Sequence, residues 1–258
     1  MRNASVRYTS VAGLLITVAI FGSMAASPAL AQQSARAATP DLSGIWFPSF
    51  RRRSRTPDPL PFTDAARGLV DDYAQRFELE DDPGYYCVWP GMPRAVWGAP
   101  FAIEIMHRPD ELTIIWEGYG MWRKIYMADR DPPEAILPTA MGHSIAHWEG
   151  DTLVIETTDL KPYPYMNRFP TTANAHIVER MRVEEREEDG ELNRYIIDEI
   201  VLTDPQMYTE PVRIAAEAQF RADLDLLEYN CSITLWEEHL TERALTLPDV
   251  DALPAPAN

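Results

Sequence analysis

Met141-Gly142-His143-Ser144-Ile145-Ala146-His147-Trp148-Glu149-Gly150-Asp151-Thr152-Leu153-Val154-Ile155-Glu156-Thr157 decides how this chain is read. Two runs with a period near two flank a short polar pair, Glu149-Gly150, which is the pattern of a β-hairpin. The same signature recurs on either side. Phe101 to Met106 and Leu112 to Trp116 flank a turn with Pro109-Asp110, and Met121 to Met127 follows as a third strand. His176 to Glu185 and Leu192 to Thr203 flank Glu188-Asp189-Gly190. Val212 to Phe220 and Leu226 to Leu235 form a last pair. About nine strands joined mainly by short turns predict an all-β, mainly antiparallel fold. Hairpins without helical crossovers exclude a parallel α/β sheet. A calycin-like or lipocalin-like up-and-down barrel leaves no unpaired edge, so it is preferred to the alternative two-sheet sandwich. Asp41-Leu42-Ser43-Gly44-Ile45-Trp46 opens the ordered part with a Gly-x-Trp of the kind that begins such barrels.

Ahead of the strands lie long Pro-rich loops and one helix. Thr63 is an N-cap residue before Asp64 to Ala74, whose apolar positions have helical spacing. Residues 51–62 and 81–100 are rich in Pro and read as loops. Residues 1–31 have the form of a secretory signal. Arg2 and Arg7 precede an apolar run, Val11 to Phe21, and Ala29-Leu30-Ala31 is a small-x-small cleavage site. That run of about 11 residues is short of the roughly 20 that a spanning helix needs. The expected organisation is a signal at 1–31, a disordered mature start at 32–40, one β domain at 41–240 and a tail at 241–258. The mature chain would be periplasmic or secreted, with no membrane span.

The chain carries a formal charge of −17, and without the leader's two arginines it carries −19. Such a field repels nucleic acid and anionic lipid and suits neutral or cationic ligands; the expected partner is a small-molecule ligand or substrate. Two cysteines, Cys87 and Cys231, suit one disulfide in an oxidising compartment, closing a loop of about 145 residues.

Candidate chemistry centres on the histidines. A two-residue turn at Glu149-Gly150 places His143 opposite Glu156, a carboxylate that would orient an imidazole for acid–base work. A three-residue turn places Thr157 there instead. His143 and His147 are about 13 Å apart on a strand at about 3.3 Å per residue, which precludes one shared metal. Ser144 and His143 point to opposite faces and make no nucleophile–base pair. On the next strand His176, Val178, Arg180 and Arg182 share one face, while Ile177, Glu179, Met181 and Val183 share the other. Each face mixes charge with hydrocarbon, so one charged group is expected inside, paired. Arg123, Tyr126, His143, His176 and Arg180 together are the candidate polar pocket, with Trp122 and Trp148 as apolar walls.

The stretches Cys87 to Arg94, Trp122 to Met127, Met141 to Val154, His176 to Arg180 and Leu227 to Cys231 resemble a family of exported proteins from proteobacteria and acidobacteria. The likeness spans about residues 41–235, and the run from Gly142 to Val154 is its most specific part. It implies export and a β fold, and it supplies no reaction. One departure is that the family's Asp-Gly-Arg-x-His-Pro becomes Ala128-Asp129-Arg130-Asp131-Pro132 here, without the His.

The leading functional expectation is a small-molecule enzyme of non-redox type: a lyase, isomerase or hydrolase without metal or other cofactor. His143 would be its acid–base group with Glu156 and His176, and Arg123, Tyr126 and Arg180 would bind substrate. That chemistry requires the imidazoles to face the barrel lumen. The alternatives are a non-catalytic barrel that binds an apolar or aromatic ligand, and a structural or interaction protein.

Overall fold

The computed structural model describes residues 39–49, 59–98, 100–129, 137–166, 168–229 and 234–254. Nine strands close into a barrel in chain order. They are β1 (Gly44–Pro48), β2 (Ile103–His107), β3 (Glu111–Trp116), β4 (Trp122–Met127), β5 (His143–Glu149), β6 (Thr152–Thr158), β7 (His176–Glu188), β8 (Glu191–Thr203) and β9 (Val212–Phe220). β9 returns to β1, with Trp46 opposite Phe220. The all-β barrel expected from the hairpin series is the fold, and the sandwich alternative is not.

One pair corrects the strictly up-and-down arrangement. β4 and β5 run parallel, with Ile125 opposite Ser144, Tyr126 opposite Ile145 and Met127 opposite Ala146. Parity requires such a pair. Directions that alternate around a ring of nine must repeat once. The connection between Met127 and His143 has the length that a parallel neighbour demands. Every other neighbouring pair is antiparallel.

The number nine agrees with the sequence reading, but the membership differs. Residues 226–229 form no strand, and a helix, Thr234–Glu242, starts inside the expected last strand. β9 already has β1 as its second neighbour, so no edge is left for a further strand. Trp236 of that helix is buried instead against Tyr163 and Tyr165. The predicted N-terminal helix is present as α1 (Asp64–Arg76), with Thr63 Oγ1 accepting from the Ala66 N–H at 3.1 Å. A one-turn helix, α2 (Arg94–Gly98), follows, which makes the Thr234–Glu242 helix α3.

Alternation decides what fills the barrel. Trp46, Ile105, Ile114, Ile125, Ile155 and Ile177 are buried members of its main apolar core. The described residues all belong to one unit, Ala38–Asn258. Among them no helix is long and apolar enough to cross a membrane. The leader at 1–31, the mature start at 32–38, Cys231 and the last four residues of the expected tail lie outside the described residues.

Candidate functional site

The hairpin that carries the predicted dyad turns one residue later than expected. Glu149 pairs with Thr152, so the two-residue turn is Gly150-Asp151. Gly150 sits at its first central position with φ +67°, where a II′ turn needs a positive φ. The whole pairing moves with it. His143 lies opposite Thr158, and Glu156 lies opposite Ile145. The His143–Glu156 dyad is therefore corrected. The carboxylate is displaced by two positions, and its imidazole neighbour is His176, whose Nε2 is 3.7 Å from Glu156 Oε2 on the exposed outer wall.

The lumen premise is corrected as well. On β4 the buried side chains are Arg123, Ile125 and Met127, leaving Trp122, Lys124 and Tyr126 outside. On β5 Ser144 and Ala146 are buried, which sends His143 and His147 outward. Arg180 is half-exposed and donates to Glu149 Oε2 at 2.8 Å, so it binds no substrate in the interior. Trp148 stands apart from the other candidates, its ring centroid 5.9 Å from that of His107.

Four predicted residues do meet. Trp122, Arg123, Tyr126 and His143 line one cleft of about 380 Å³ on the outer wall at the β4–β5 seam, together with Trp89 and Met141. The Tyr126 and His143 ring centroids are 5.5 Å apart. Trp122 is 54% exposed, a large apolar surface left to solvent. Lys124 at the rim approaches Glu111 at 3.3 Å. His143 Nε2 is shielded from water and has no hydrogen-bond partner among the described residues. A shielded nitrogen without a partner costs roughly 1–3 kcal/mol, so a ligand atom that satisfied it would gain from doing so. Gly142 shapes this corner. Its φ is +68°, and a Cβ there would stand 2.5 Å from the Thr158 carbonyl oxygen.

Inside the barrel lies a polar cluster of which only Arg123 was foreseen as functional. Arg123 is 1% exposed and donates to Ser144 Oγ at 3.1 Å, to Thr157 Oγ1 at 2.8 Å and through both terminal nitrogens to Glu179. It is thus a buried anchor, and its side chain is not a substrate ligand of the outer cleft. Glu179 is the inward charge that the β7 alternation had announced, sharing its face with Ile177 and Met181. Asp198 is 2% exposed, and neither of its oxygens receives a hydrogen bond. Its signal was present too, since it sits between Ile196 and Ile200 on the inward face of β8.

Burial and the adjacent Glu179 carboxylate push the Asp198 carboxyl well above its ordinary value near 3.8. The folded chain therefore holds a proton that the unfolded chain releases once pH exceeds that value. Stability contributed by this group falls as pH rises through the window between the two. Asp198→Asn removes the titration. The variant is expected to gain on the parent in urea melts as pH is taken from about 4 to about 8. Parallel stability–pH curves would show that the carboxyl titrates normally.

No family model matches the chain, and no curated protein matches it.

Proposed function

We propose that this protein binds a small neutral molecule with a flat apolar face and a polar substituent at the β4–β5 seam. Trp89, Trp122 and Tyr126 provide the face, and His143 Nε2 provides the polar contact. The observation that carries this reading is a half-exposed tryptophan walling a cleft beside an imidazole nitrogen without a partner. Aromatic walls with a few placed polar groups are the usual composition of small-molecule sites. Binding is favoured over acid–base catalysis because Glu156, the intended orienter of His143, lies beside His176 instead.

The test is calorimetric titration with 2-naphthol, which carries a flat face and one hydroxyl. Trp122→Ala is expected to weaken binding at least tenfold through lost stacking area. His143→Ala is expected to weaken it about fivefold to tenfold through the lost hydrogen bond. Absence of binding at millimolar 2-naphthol, or binding that ignores both substitutions, would overturn the reading.

Export belongs to the same proposal. The positive start, short apolar run and Ala29-Leu30-Ala31 site support a leader removed before Gln32. A Cys87–Cys231 bond fits that compartment. Tyr229, two residues before Cys231, lies 5.7 Å from Tyr119 between ring centroids, and the Tyr119 hydroxyl donates to the Gly84 carbonyl, three residues before Cys87. The intact mass of the chain recovered from the periplasm tests both points. It should correspond to a start at Gln32, and alkylation should leave both thiols unlabelled until reduction.

A further inference from the structure

A second cleft, of about 400 Å³, opens between loop residues 82–101, Tyr119, Arg168 and Tyr229, and it shares no lining residue with the seam cleft. Its charged part is built around Asp82, whose side chain is only 4% exposed. Asp82 Oδ1 accepts from Arg94 Nη2 at 2.7 Å and from the Gly84 N–H at 2.8 Å, and Arg168 Nη2 stands 3.0 Å from Oδ2. Two guanidiniums thus converge on one carboxylate, which leaves one positive charge in excess among the described residues that line the cleft. The neighbouring Asp81 does not cancel it, because its carboxylate faces His239 and Arg243 instead, at 2.6 and 3.2 Å. Arg94 is largely enclosed, and its Nη1 donates to the Tyr163 hydroxyl at 2.8 Å. Arg168 is the accessible member, with 34% of its side chain exposed. The remaining wall is aromatic. Phe101 packs edge-on against Tyr119 and Tyr229 at 5.5 and 5.2 Å between ring centroids, and the exposed ring of Tyr85 joins the lining. Gly84 keeps the polar corner clear, since a Cβ there would stand 3.0 Å from Arg94 Nη2 and 3.3 Å from the Tyr119 hydroxyl oxygen.

We infer that this cleft binds a small aromatic carboxylate, with its carboxylate paired to Arg168 and its ring against Tyr85, Phe101 and Tyr229. A guanidinium carries five N–H donors in a planar fork, so one can serve Asp82 and a ligand together. The rings beside it supply the apolar contact that a flat body needs, and the volume lies in the range usual for small-molecule sites. The acidity of the whole chain does not forbid an anion here. Exposed charges more than about 8 Å away are largely screened at physiological ionic strength, whereas the guanidinium acts at contact. A neutral isostere has the ring without the charge, so it should bind less well.

Ligand-observed ¹⁹F NMR at neutral pH with 4-fluorobenzoate and 4-fluorobenzamide tests the inference. All arms carry Trp122→Ala, so that the seam cleft contributes little. 4-Fluorobenzoate should broaden on binding and bind about tenfold tighter than 4-fluorobenzamide, the margin that a charge-assisted hydrogen bond supplies. Adding Arg168→Met brings the lining charge to zero, and the two probes should then bind equally. Adding Arg168→Lys keeps the charge and should keep part of the preference. Adding Tyr85→Ala, at an exposed ring, should weaken both probes about threefold and leave their ratio unchanged. Equal affinities before Arg168 is changed, or a benzoate preference that survives Arg168→Met, would overturn the assignment to Arg168. A preference lost as fully with Lys as with Met would show that charge does not select the ligand. Displacement of 4-fluorobenzoate by equimolar acetate would show a site for any carboxylate and overturn the aromatic part, as would indifference to Tyr85→Ala. No broadening of 4-fluorobenzoate at millimolar concentration would show that the cleft takes no such ligand. Retention of the strand CD spectrum and a cooperative melt in each variant separates these outcomes from misfolding.

Discussion

Arg123→Met is expected to remove about 3–5 kcal/mol of folding stability, the range measured when one partner of a buried ion pair is deleted. The guanidinium is fully enclosed and spans three strands besides its own, reaching Ser144 on β5, Thr157 on β6 and Glu179 on β7. Its loss strands Glu179 beside Asp198 with no cation between them. Two carboxyls enclosed side by side without a cation repel and are poorly solvated. The triple variant Arg123→Leu, Glu179→Leu, Asp198→Leu removes charge and penalty together, and it is expected to recover most of that loss. Urea melts at neutral pH check both. A loss below about 1 kcal/mol for the single variant would mean that the cluster holds the strands only weakly.

Trp46→Ala should cost a comparable amount, about 3–5 kcal/mol, for a different reason. The indole is fully buried, packs edge-on against Phe220 at 5.3 Å and donates from Nε1 to the Leu42 carbonyl at 2.9 Å. It sits where β1 meets β9, so the void left by Ala opens at the closure of the ring. Trp46→Phe keeps most of the volume and loses the hydrogen bond, and it should cost less than half as much. Thermal or urea unfolding of the pair separates packing from the polar contact. Equal losses for Ala and Phe would assign the stability to the Leu42 bond instead.

The barrel was legible in the chain because alternation and turn residues are local signals, and nearly every hairpin carries both. The error at residues 226–235 was equally physical. Leu226 to Leu235 has apolar character suited to a strand, but a strand needs a neighbour, and β1 had already taken the place beside β9. The site was harder to read. Residue type made His143, Tyr126, Trp122 and Arg123 candidates, and they do border one cleft. Which side of the wall each side chain serves depended on the turn and the closure of the ring. Shifting the turn from Glu149-Gly150 to Gly150-Asp151 exchanged Glu156 for Thr158 as the partner of His143. Asp198 was passed over although Ile196 and Ile200 share its face, because Tyr195 and Ile197 make the other face of β8 apolar too, and only closure of the ring picks the inner one. Trp89 comes from a loop, where periodicity says nothing.

An odd count of strands has an architectural consequence for inheritance. Chains of this design that gain or lose material as whole hairpins change by two strands and stay odd, so one like-directed seam persists with its long return passage. The cleft that opens there is tied to arithmetic as much as to its particular side chains. Gain or loss of a single strand would instead allow perfect alternation, and no long passage from Met127 to His143 would be required.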